Sequence, residues 1–493
     1  EDLDMKRTRI LLLLIVVVLC LALASYLSYY YGYTTATAER MVVEEALREE
    51  ASKAIEEIKK EAISAIKALK DEIAKAIDEA VKAAKAPVYV VGVEPVANVT
   101  VEWLTPLEGV LAKLPKTANV ILSNGSKVVS TLNWTSITDP LFPEYKYSPY
   151  TAGVYRATAT VSLPYGVYCT DPKLLIVTTN VTVMTPLLPY LYPNATPLTD
   201  PRYKDLFNQP GTYKSERIVV DGLNRTYHYY VPSYYNGTQR MPLVISLHGA
   251  WSCGLANLLG ADDYAEKFGF ILVCPDSYGY IWNIPGVVAG ANVTIDVNFI
   301  SKLIDVMSEK YNIDTKRVYV VGISAGGMMA TYLALYLPHK IAAVGIISGA
   351  LSLAALADAG VKFPRPMTFV ITAGTYELLF GAPFDEHLRA RKAVTYLVEQ
   401  FNCSRTPEVT FWPDPKAKGV YWPPTGERTA VVRYVYSGGV GGVQVVYFEI
   451  IGGGHCWPGG MQYSLPSSVG WVTYHVEAWS DCLWPYLSKC TLP

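Results

Sequence analysis

The stretch that decides the fold of the C-terminal half is Arg317-Val318-Tyr319-Val320-Val321-Gly322-Ile323-Ser324-Ala325-Gly326-Gly327. Its first five residues have the composition of a buried strand, and an apolar helical run continues to Leu337. A strand, the pattern Gly-x-Ser-x-Gly and a helix predict a sharp turn with Ser324 at its tip. The glycines are needed because such a turn leaves no room for side chains around the serine. We therefore predict that Ser324 is a nucleophile and that the dipole of the following helix favours a developing negative charge.

A serine nucleophile requires a general base, an acid that orients the base, and donors for an oxyanion. The histidines that follow Ser324 in the chain are His339, His387, His455 and His475. His455 is the predicted base because it follows the strand-like residues 445–450 in a glycine-rich loop. The other three histidines are interpreted as structural, one at a helix end and two in helical patterns.

The orienting acid is expected after the strand-like residues 367–372. In folds with a strand, Gly-x-Ser-x-Gly and helix turn, the acid lies between the serine and the histidine in the chain. Glu377 is the first carboxylate beyond that strand and is the predicted acid. Asp385 and Glu386 follow closely, and Asp385 remains the alternative.

Two backbone amides are the predicted donors of the oxyanion hole. The first belongs to Ala325, the residue after the nucleophile. The second is expected in the loop after the strand-like residues 242–247, where Ala250 is the first choice and Trp251 the second. The side chain of His248 in this loop is interpreted as structural.

Residues 213–493 alternate strand-like and helix-like segments, which predicts an α/β fold. The motifs of this region are Leu247-His248-Gly249, Trp282-Asn283, Asp296-Val297-Asn298-Phe299, Arg317-Val318-Tyr319, Gly322-Ile323-Ser324-Ala325-Gly326-Gly327 and Gly452-Gly453-Gly454-His455-Cys456-Trp457-Pro458-Gly459. They resemble the polyhydroxybutyrate depolymerase and feruloyl esterase branch of the α/β-hydrolases over nearly the whole region. The resemblance implies a carboxylic-ester hydrolase with a Ser/Asp/His triad and no cofactor. The family's Gly-Thr-x-Asp reads Gly374-Thr375-Tyr376-Glu377 here, so a glutamate stands where the family has aspartate. Asp296 lies in the family's recurrent Asp-Val-x-Phe and is interpreted as a helix start.

Trp251, Trp282 and Trp457 each lie beside one of these motifs, so they are candidates to line an aromatic substrate cleft. Ordinary packing of large residues is an equal alternative. The insertion 412–428 is a candidate rim of the cleft. Residues 438–442 are glycine-rich, but no Lys-[Ser/Thr] follows them, so they predict a hairpin turn and not a phosphate loop. No Cys/His zinc spacing occurs in the sequence, so no metal site is expected.

Composition limits the function classes further. The chain has 493 residues, which suggests several domains, and its formal net charge of −2 argues against a nucleic-acid-binding role. Its charged fraction of 17% is low for a globular protein, where about a quarter is usual.

Residues 10–33 are predicted to be a transmembrane anchor. The uncharged run Ile10 to Tyr30 would span about 31 Å as a helix, which matches the apolar core of a bilayer. Lys6, Arg7 and Arg9 precede it, so residues 1–9 are expected in the cytoplasm and the rest of the chain outside, as a single-pass protein of the cell membrane. A signal peptide cleaved near Ala22-Leu23-Ala24 is the alternative, and it also exports the rest of the chain.

Residues 34–86 are predicted to form a coiled-coil stalk. Apolar positions such as Leu47, Ile58, Leu69 and Ala80 recur every 11 residues, which gives a right-handed supercoil. A trimer or tetramer is the expected homo-oligomer, and a solitary charged helix is the alternative.

Residues 87–184 alternate polar and apolar positions as short strands do, which predicts a β-sandwich. The segments Leu114-Pro115-Lys116-Thr117, Val120-Ile121-Leu122-Ser123-Asn124-Gly125-Ser126, Trp134 and Ala152-Gly153-Val154-Tyr155 resemble a bacterial Ig-like surface domain. That resemblance implies a spacer or adhesive module without chemistry of its own. Residues 185–212 are proline-rich and predict a semi-rigid linker.

Asparagine and cysteine usage both indicate export. Nine asparagines lie in N-x-[Ser/Thr] sequons and predict N-glycans: Asn98, Asn124, Asn133, Asn180, Asn194, Asn224, Asn236, Asn292 and Asn402. The six cysteines of the C-terminal region predict disulfides of undetermined pairing: Cys253, Cys274, Cys403, Cys456, Cys482 and Cys490.

Together these features predict a membrane-anchored, extracellular serine esterase on a stalk and an Ig-like spacer. Polyesters, feruloyl or acetylated polysaccharides and small esters all remain open as substrates. The alternative is a structural or adhesive surface protein that has kept a non-catalytic hydrolase fold.

Overall fold

A computed structural model describes residues 87–184, 206–379, 382–412, 429–460 and 464–493, with four helical residues at 74, 75, 77 and 78. The predicted anchor (10–33), nearly all of the stalk (34–86), most of the linker (185–212) and residues 413–428 of the insertion lie outside this set. Those interpretations therefore stay predictions. Within the described ranges, no helix combines the length and the hydropathy needed to cross a bilayer.

The strands are β1 (Val88–Val93), β2 (Val99–Val101), β3 (Thr117–Leu122), β4 (Lys127–Thr138), β5 (Gly153–Ser162), β6 (Val167–Tyr168), β7 (Ile176–Val183), β8 (Thr212–Val220), β9 (Leu223–Val231), β10 (Met241–Leu247), β11 (Ile271–Pro275), β12 (Ile313–Ile323), β13 (Ala343–Ile347), β14 (Thr368–Gly374), β15 (Leu378–Leu379), β16 (Ala382–Pro383), β17 (Glu408–Trp412), β18 (Ala430–Tyr436) and β19 (Val445–Ile451).

The α-helices are α1 (Leu107–Lys113), α2 (Gly254–Leu258), α3 (Asp262–Phe268), α4 (Thr294–Lys310), α5 (Ala325–Tyr336), α6 (Leu351–Asp358), α7 (Glu386–Gln400), α8 (Pro466–Val469) and α9 (Trp484–Leu487). Two 3₁₀ turns (Pro172–Leu175 and Val440–Gly442) and a π-helical segment (Ala478–Leu483) complete the described elements.

The C-terminal region is built on a ten-stranded sheet with the order β17-β18-β19-β14-β13-β12-β10-β11-β9-β8. Its six central strands, from β19 to β11, are parallel, and antiparallel pairs extend both edges. The central strands β10, β13 and β14 are buried at every position, as a parallel sheet covered on both faces requires. The order confirms the predicted α/β fold and places the ends of β10 and β12 side by side.

Helices cover both faces of this sheet. Phe299 of α4, Met329 of α5 and Leu397 of α7 belong to the apolar core on one face. Leu255 of α2, Ala265 of α3 and Leu483 of the π-helical segment belong to the core on the other. The glycine-rich residues 438–442 lie between the antiparallel strands β18 and β19, which confirms the predicted hairpin turn.

The predicted Ig-like region contains seven strands in one hydrogen-bonded sheet with the order β2-β7-β5-β4-β3-β1-β6. The strand-rich character is confirmed, whereas the β-sandwich architecture and the Ig-like family assignment stay predictions. A small core of its own includes Val90, Val120, Leu132 and Val161.

The described chain divides into two compact units whose boundaries differ from the predicted domains. One unit contains the described residues up to 97 together with 115–135 and 158–178. The other contains 98–114, 136–157 and the described residues of 179–493. Residues 98–114 and 136–157, which sequence patterns place in the spacer, therefore belong to the unit that holds the large sheet.

The predicted disulfide framework is absent among the described cysteines, which is a correction. Cys253, Cys274 and Cys482 are buried and pack as small apolar side chains in the same core. Burial raises the pKa of all three thiols, so they are held as neutral groups.

Candidate active site

The predicted nucleophile stands on a strained turn between β12 and α5. Ser324 has φ 55° and ψ −123°, a backbone conformation that residues other than glycine rarely adopt. Such strained residues are frequent at functional sites. A Cβ on Gly322 would lie 2.3 Å from the carbonyl carbon of Gly326, and one on Gly326 would lie 2.1 Å from the Leu247 carbonyl oxygen. The turn therefore closes only with glycine at both positions, as its pattern predicts.

The end of β13 joins this turn to the neighbouring strands. The Ser324 amide donates to the Ile347 carbonyl (2.9 Å), and the Ser348 amide donates to the Thr372 carbonyl (2.9 Å). Ser348 is buried and has φ 48°, so a second serine with a left-handed backbone lies beside the elbow. The carboxyl ends of β12, β13 and β14 thus meet at one edge of the sheet.

The predicted base and acid form a buried pair at that edge. The Nδ1 of His455 lies 2.7 Å from Oε2 of Glu377, with 4% of His455 and 2% of Glu377 exposed. Because a carboxylate only accepts, the Nδ1 of His455 carries the proton of this hydrogen bond, and in that tautomer Nε2 is the proton-accepting nitrogen. This is the tautomer that a general base opposite a serine requires.

The other carboxylate oxygen of Glu377 is held by two donors. The Ser348 hydroxyl donates to Oε1 at 2.7 Å, and the Gly374 amide donates to the same oxygen at 2.8 Å. A glutamate has one more rotatable bond than an aspartate, so fixing Oε1 also fixes the direction of Oε2 toward His455. Sequence patterns did not indicate Ser348, because a lone serine after a buried strand carries no local signal.

Glu386 is a second buried carboxyl group close to this pair. It opens α7, is fully buried, and accepts a hydrogen bond from the Ala350 amide through Oε1. Its Oε2 has no hydrogen-bond partner among the described residues. Burial first, and then the charge of Glu377, raise the pKa of Glu386 well above its ordinary value, which favours the protonated carboxyl.

The alternative acid, Asp385, lies elsewhere. It is exposed at the N-terminal end of α7, whereas His455 pairs with Glu377. The geometry therefore supports the first choice of acid over the alternative.

The two predicted oxyanion donors lie on adjacent strand ends. A Cβ on Gly249 would lie 3.3 Å from the Cβ of Ser324, so the loop after β10 packs directly against the elbow. In the described chain, the amides of Ala250 and Ala325 donate to no backbone carbonyl. The reserve donor, the Trp251 amide, is already bonded to the Tyr280 carbonyl at 2.7 Å.

His248 anchors this loop, as its structural interpretation anticipates. Its Nε2 accepts from the Ser277 amide (3.0 Å), so Nδ1 carries the proton and donates to the Gly249 carbonyl (2.7 Å). Burial lowers the pKa of His248, which keeps the ring neutral and this bonding pattern intact.

The three candidate cleft tryptophans have different environments. Trp251 is 59% exposed and stacks on Tyr280 with ring centroids 5.3 Å apart. Trp282 is fully buried and donates from Nε1 to the His248 carbonyl (2.9 Å), so it belongs to the core beneath the loop and not to an open cleft. Trp457 is half-buried and stacks on Trp479. Of these three tryptophans, only Trp251 presents an exposed aromatic face.

Asp296 lies at the start of a helix, as its sequence pattern predicts. It lies in the first turn of α4, is fully buried, and pairs with the guanidinium of Arg225 at 2.7 Å. Its second oxygen accepts from the backbone and side chain of Asn283.

The sequence matches known esterases over this region. Residues 225–360 match the family model described as Esterase PHB depolymerase. This segment runs from β9 to just beyond α6 and includes Ser324, whereas Glu377 and His455 lie beyond it.

Three relatives illustrate the similarity. A bifunctional acetylxylan esterase/xylanase of Neocallimastix patriciarum is 36% identical over 28% of this chain and 19% of its own length. Feruloyl esterase B of Piromyces equi is 25% identical over 48% of this chain and 44% of its own length. A poly(3-hydroxybutyrate) depolymerase of Ralstonia pickettii is 28% identical over 28% of this chain and 33% of its own. The chain thus spans less than half the length of each of these relatives.

Among solved structures, an acetyl xylan esterase from Aspergillus awamori matches 48% of this chain and 92% of its own. The TM-score is 0.36 and the sequence identity is 16%.

Proposed function

We propose that this protein is a serine carboxylic-ester hydrolase with Ser324 as nucleophile, His455 as base and Glu377 as orienting acid. The observation that carries the proposal is the buried His455–Glu377 pair, which lies at the same sheet edge as the strained Ser324 turn. The relatives described above are esterases or depolymerases of esters, which supports the same reaction class.

The mechanism follows from the roles of these groups. His455 Nε2 takes the proton of Ser324, whose alkoxide attacks the ester carbonyl. The amides of Ala325 and Ala250 stabilise the oxyanion, because both lie after adjacent strand ends and neither donates to a backbone carbonyl among the described residues. The imidazolium then protonates the leaving alcohol, and water hydrolyses the acyl-enzyme by the same route in reverse. Glu377 stabilises the imidazolium and keeps its tautomer.

The substrates favoured by the similarity are acetylated or feruloylated polysaccharides. The relatives include acetylxylan esterases, a feruloyl esterase and a polyester depolymerase, so the three ester classes form the panel to test. The exposed Trp251–Tyr280 stack beside the loop of Ala250 is the surface on which the substrate would lie.

Hydrolysis of p-nitrophenyl acetate by the wild type and by Ser324→Ala tests the proposal. We expect the wild type to be active and the variant to lose about 10³-fold or more of kcat. An inactive wild type would favour the alternative, a structural or adhesive surface protein with a hydrolase fold.

A phosphonate ester probe gives an independent readout. It should label the wild type at Ser324 and leave Ser324→Ala unlabelled, with the site identified by peptide mass. Labelling at another serine would show that Ser324 is not the nucleophile.

The proposed location is the cell exterior, with the C-terminal domains held on a membrane anchor and an oligomeric stalk. The eight sequon asparagines in the described ranges are all exposed, as glycosylation requires. A mass above that of the bare polypeptide, removed by deglycosylation, supports the glycans, and cross-linking of the full chain tests the trimer or tetramer.

A further inference from the structure

Residues 136–157, here called the arm, follow the strand-rich region in sequence pattern but belong to the unit that contains the candidate active site. The arm joins β4 to β5, and sequence patterns place it within a spacer that has no part in chemistry. Its contacts give it a different role.

Asp139 connects the arm to the segment 464–471. Its side chain is buried, with 1% exposed. Oδ1 accepts from the amides of Leu141 (2.8 Å) and Phe142 (3.1 Å), which closes a turn within the arm. Oδ2 accepts from the amide of Ser467 at 2.9 Å, so the same carboxylate holds the start of α8.

Two further contacts join the same two segments. The Ala152 carbonyl accepts from the Leu465 amide at 3.0 Å, and both residues are buried. Phe142 and Tyr145 pack against the indole of Trp471, with ring centroids 5.4 and 5.8 Å away. A backbone bond, a buried carboxylate and an aromatic cluster therefore hold the arm in place together.

The segment 464–471 in turn holds the loop of the predicted base. The Gly454 amide donates to the Trp471 carbonyl (2.8 Å), and the His455 amide donates to the Val469 carbonyl (2.5 Å). Space is tight here, since a Cβ on Gly454 would lie 2.3 Å from the Val469 carbonyl oxygen. A shift of α8 would therefore move the backbone of His455 directly.

We propose that residues 136–157 are a positioning element of the esterase site, which holds the His455 loop in its catalytic geometry through residues 464–471. The proposal rests on the proposed function of His455. A displacement of about 1 Å between reacting groups is enough to slow catalysis strongly, so an indirect support of this kind affects rate.

The test uses the full chain with Asp139→Asn and Phe142→Ala, and Leu141→Ala as the matched control, because Leu141 is 64% exposed on the same arm. Asparagine keeps the shape of Asp139 but replaces one of its accepting oxygens with a donor. We expect kcat for p-nitrophenyl acetate to fall at least about 10-fold in both variants, with KM changed less than about twofold.

Two measurements separate positioning from simple loss of folded protein. Titration of Ser324 with a phosphonate probe gives kcat per intact site, and the pH profile of kcat/KM reports the ionisation of His455. A lower kcat per site with a displaced acidic limb supports the proposal. A wild-type kcat per titrated site overturns it, even if the melting temperature falls.

The outcome is distinguishable from failure of the proposed function. If the wild type is inactive, or Ser324→Ala retains activity, the esterase assignment fails. If both behave as expected and the Asp139 and Phe142 variants behave like Leu141→Ala, the positioning role alone is wrong.

Discussion

Two histidine–carboxylate pairs lie on the same large sheet, and they differ in what surrounds the imidazole. His455 follows β19 in a glycine-rich loop and pairs with Glu377 through Nδ1. His228 lies within β9, where Nδ1 is 2.6 Å from the Ser215 hydroxyl and Nε2 is 3.2 Å from Asp276. The second set also contains a serine, a histidine and an aspartate, so residue types alone do not separate the two.

Position separates them. Ser215 and His228 are register partners on adjacent antiparallel strands, and Asp276 also accepts from the Gly254 amide at the start of α2. Both ring nitrogens of His228 are therefore engaged inside a packed sheet, next to a serine with ordinary strand geometry. A triad is defined by geometry and by the role of each member, and of these two sets only that of Ser324 has a serine with a strained backbone beside two candidate amide donors.

Replacing each histidine gives the largest expected contrast. His455→Ala should lower kcat by about 10³–10⁵-fold, because the base is lost, whereas His228→Ala should keep kcat within about threefold and lower the melting temperature. His339→Ala, at an exposed position, is the control for both. Steady-state kinetics and thermal unfolding of the three variants test this contrast. A folded His228→Ala variant that loses as much kcat as His455→Ala would contradict the structural interpretation of His228.

Replacing the carboxylates gives the next largest contrast. Glu377→Gln should lower kcat by about 10³–10⁴-fold, since an amide can stabilise the wrong tautomer of His455 and cannot balance the imidazolium. Asp385→Asn, at the exposed alternative acid, should leave kcat unchanged within about twofold. Both variants are compared by steady-state kinetics. A large loss of kcat in Asp385→Asn with little loss in Glu377→Gln would assign the role of the acid to Asp385.

Ser348→Ala should have a moderate effect. The variant removes one of two donors to Glu377 Oε1, and a hydrogen bond to a charged group contributes about 1.5–3 kcal/mol. We expect kcat to fall about 10-fold with KM nearly unchanged.

Ser348→Thr, which retains the hydroxyl, should recover part of the Ser348→Ala loss. In a Glu377→Asp background the effect of Ser348→Ala should shrink, because the shorter side chain no longer reaches both partners. Full additivity in this double-mutant cycle would show that Ser348 does not act through Glu377.

Glu386→Gln should have the smallest effect, and it concerns stability. The folded pKa of Glu386 is raised, so between its ordinary pKa near 4.5 and the folded value the native state binds more protons than the unfolded state. Wild-type stability from this group therefore falls as pH rises through that window. Glutamine does not titrate, so its replacement of Glu386 removes this pH dependence. The stability of the variant relative to the wild type should therefore be higher at pH 8 than at pH 5.

The gain is read as a rise in melting temperature, and about 1 kcal/mol corresponds to about 1 °C in a chain of 493 residues. Thermal unfolding of both proteins at the two pH values measures it. A constant difference between them would mean that Glu386 is ionised in the folded state.

The pairing of the proposed catalytic groups was predictable to the extent that each lies in a local pattern. Ser324 and its two glycines belong to one turn, and His455 and Glu377 each follow a recognisable strand, so their order in the chain was sufficient. Ser348 and Glu386 carry no such pattern, because their roles depend on which strand ends become neighbours. Trp282 and Trp251 both lie beside a site motif in the sequence, which does not distinguish them. The tertiary packing buries the indole of Trp282 and leaves that of Trp251 exposed.

The amino-acid sequence by itself determined the local chemistry of this protein: the elbow at Ser324, the strands of the α/β sheet, and the loops that present His455 and Glu377. These features depend on short-range sterics and on apolar periodicity, which are written in consecutive residues. Only the tertiary structure decided that Ser348 and the Gly374 amide fix Glu377, that Cys253, Cys274 and Cys482 pack as core residues, and that 136–157 pack beside α8. Those outcomes depend on contacts between segments as far apart as Asp139 and Ser467, and no local pattern encodes such a contact.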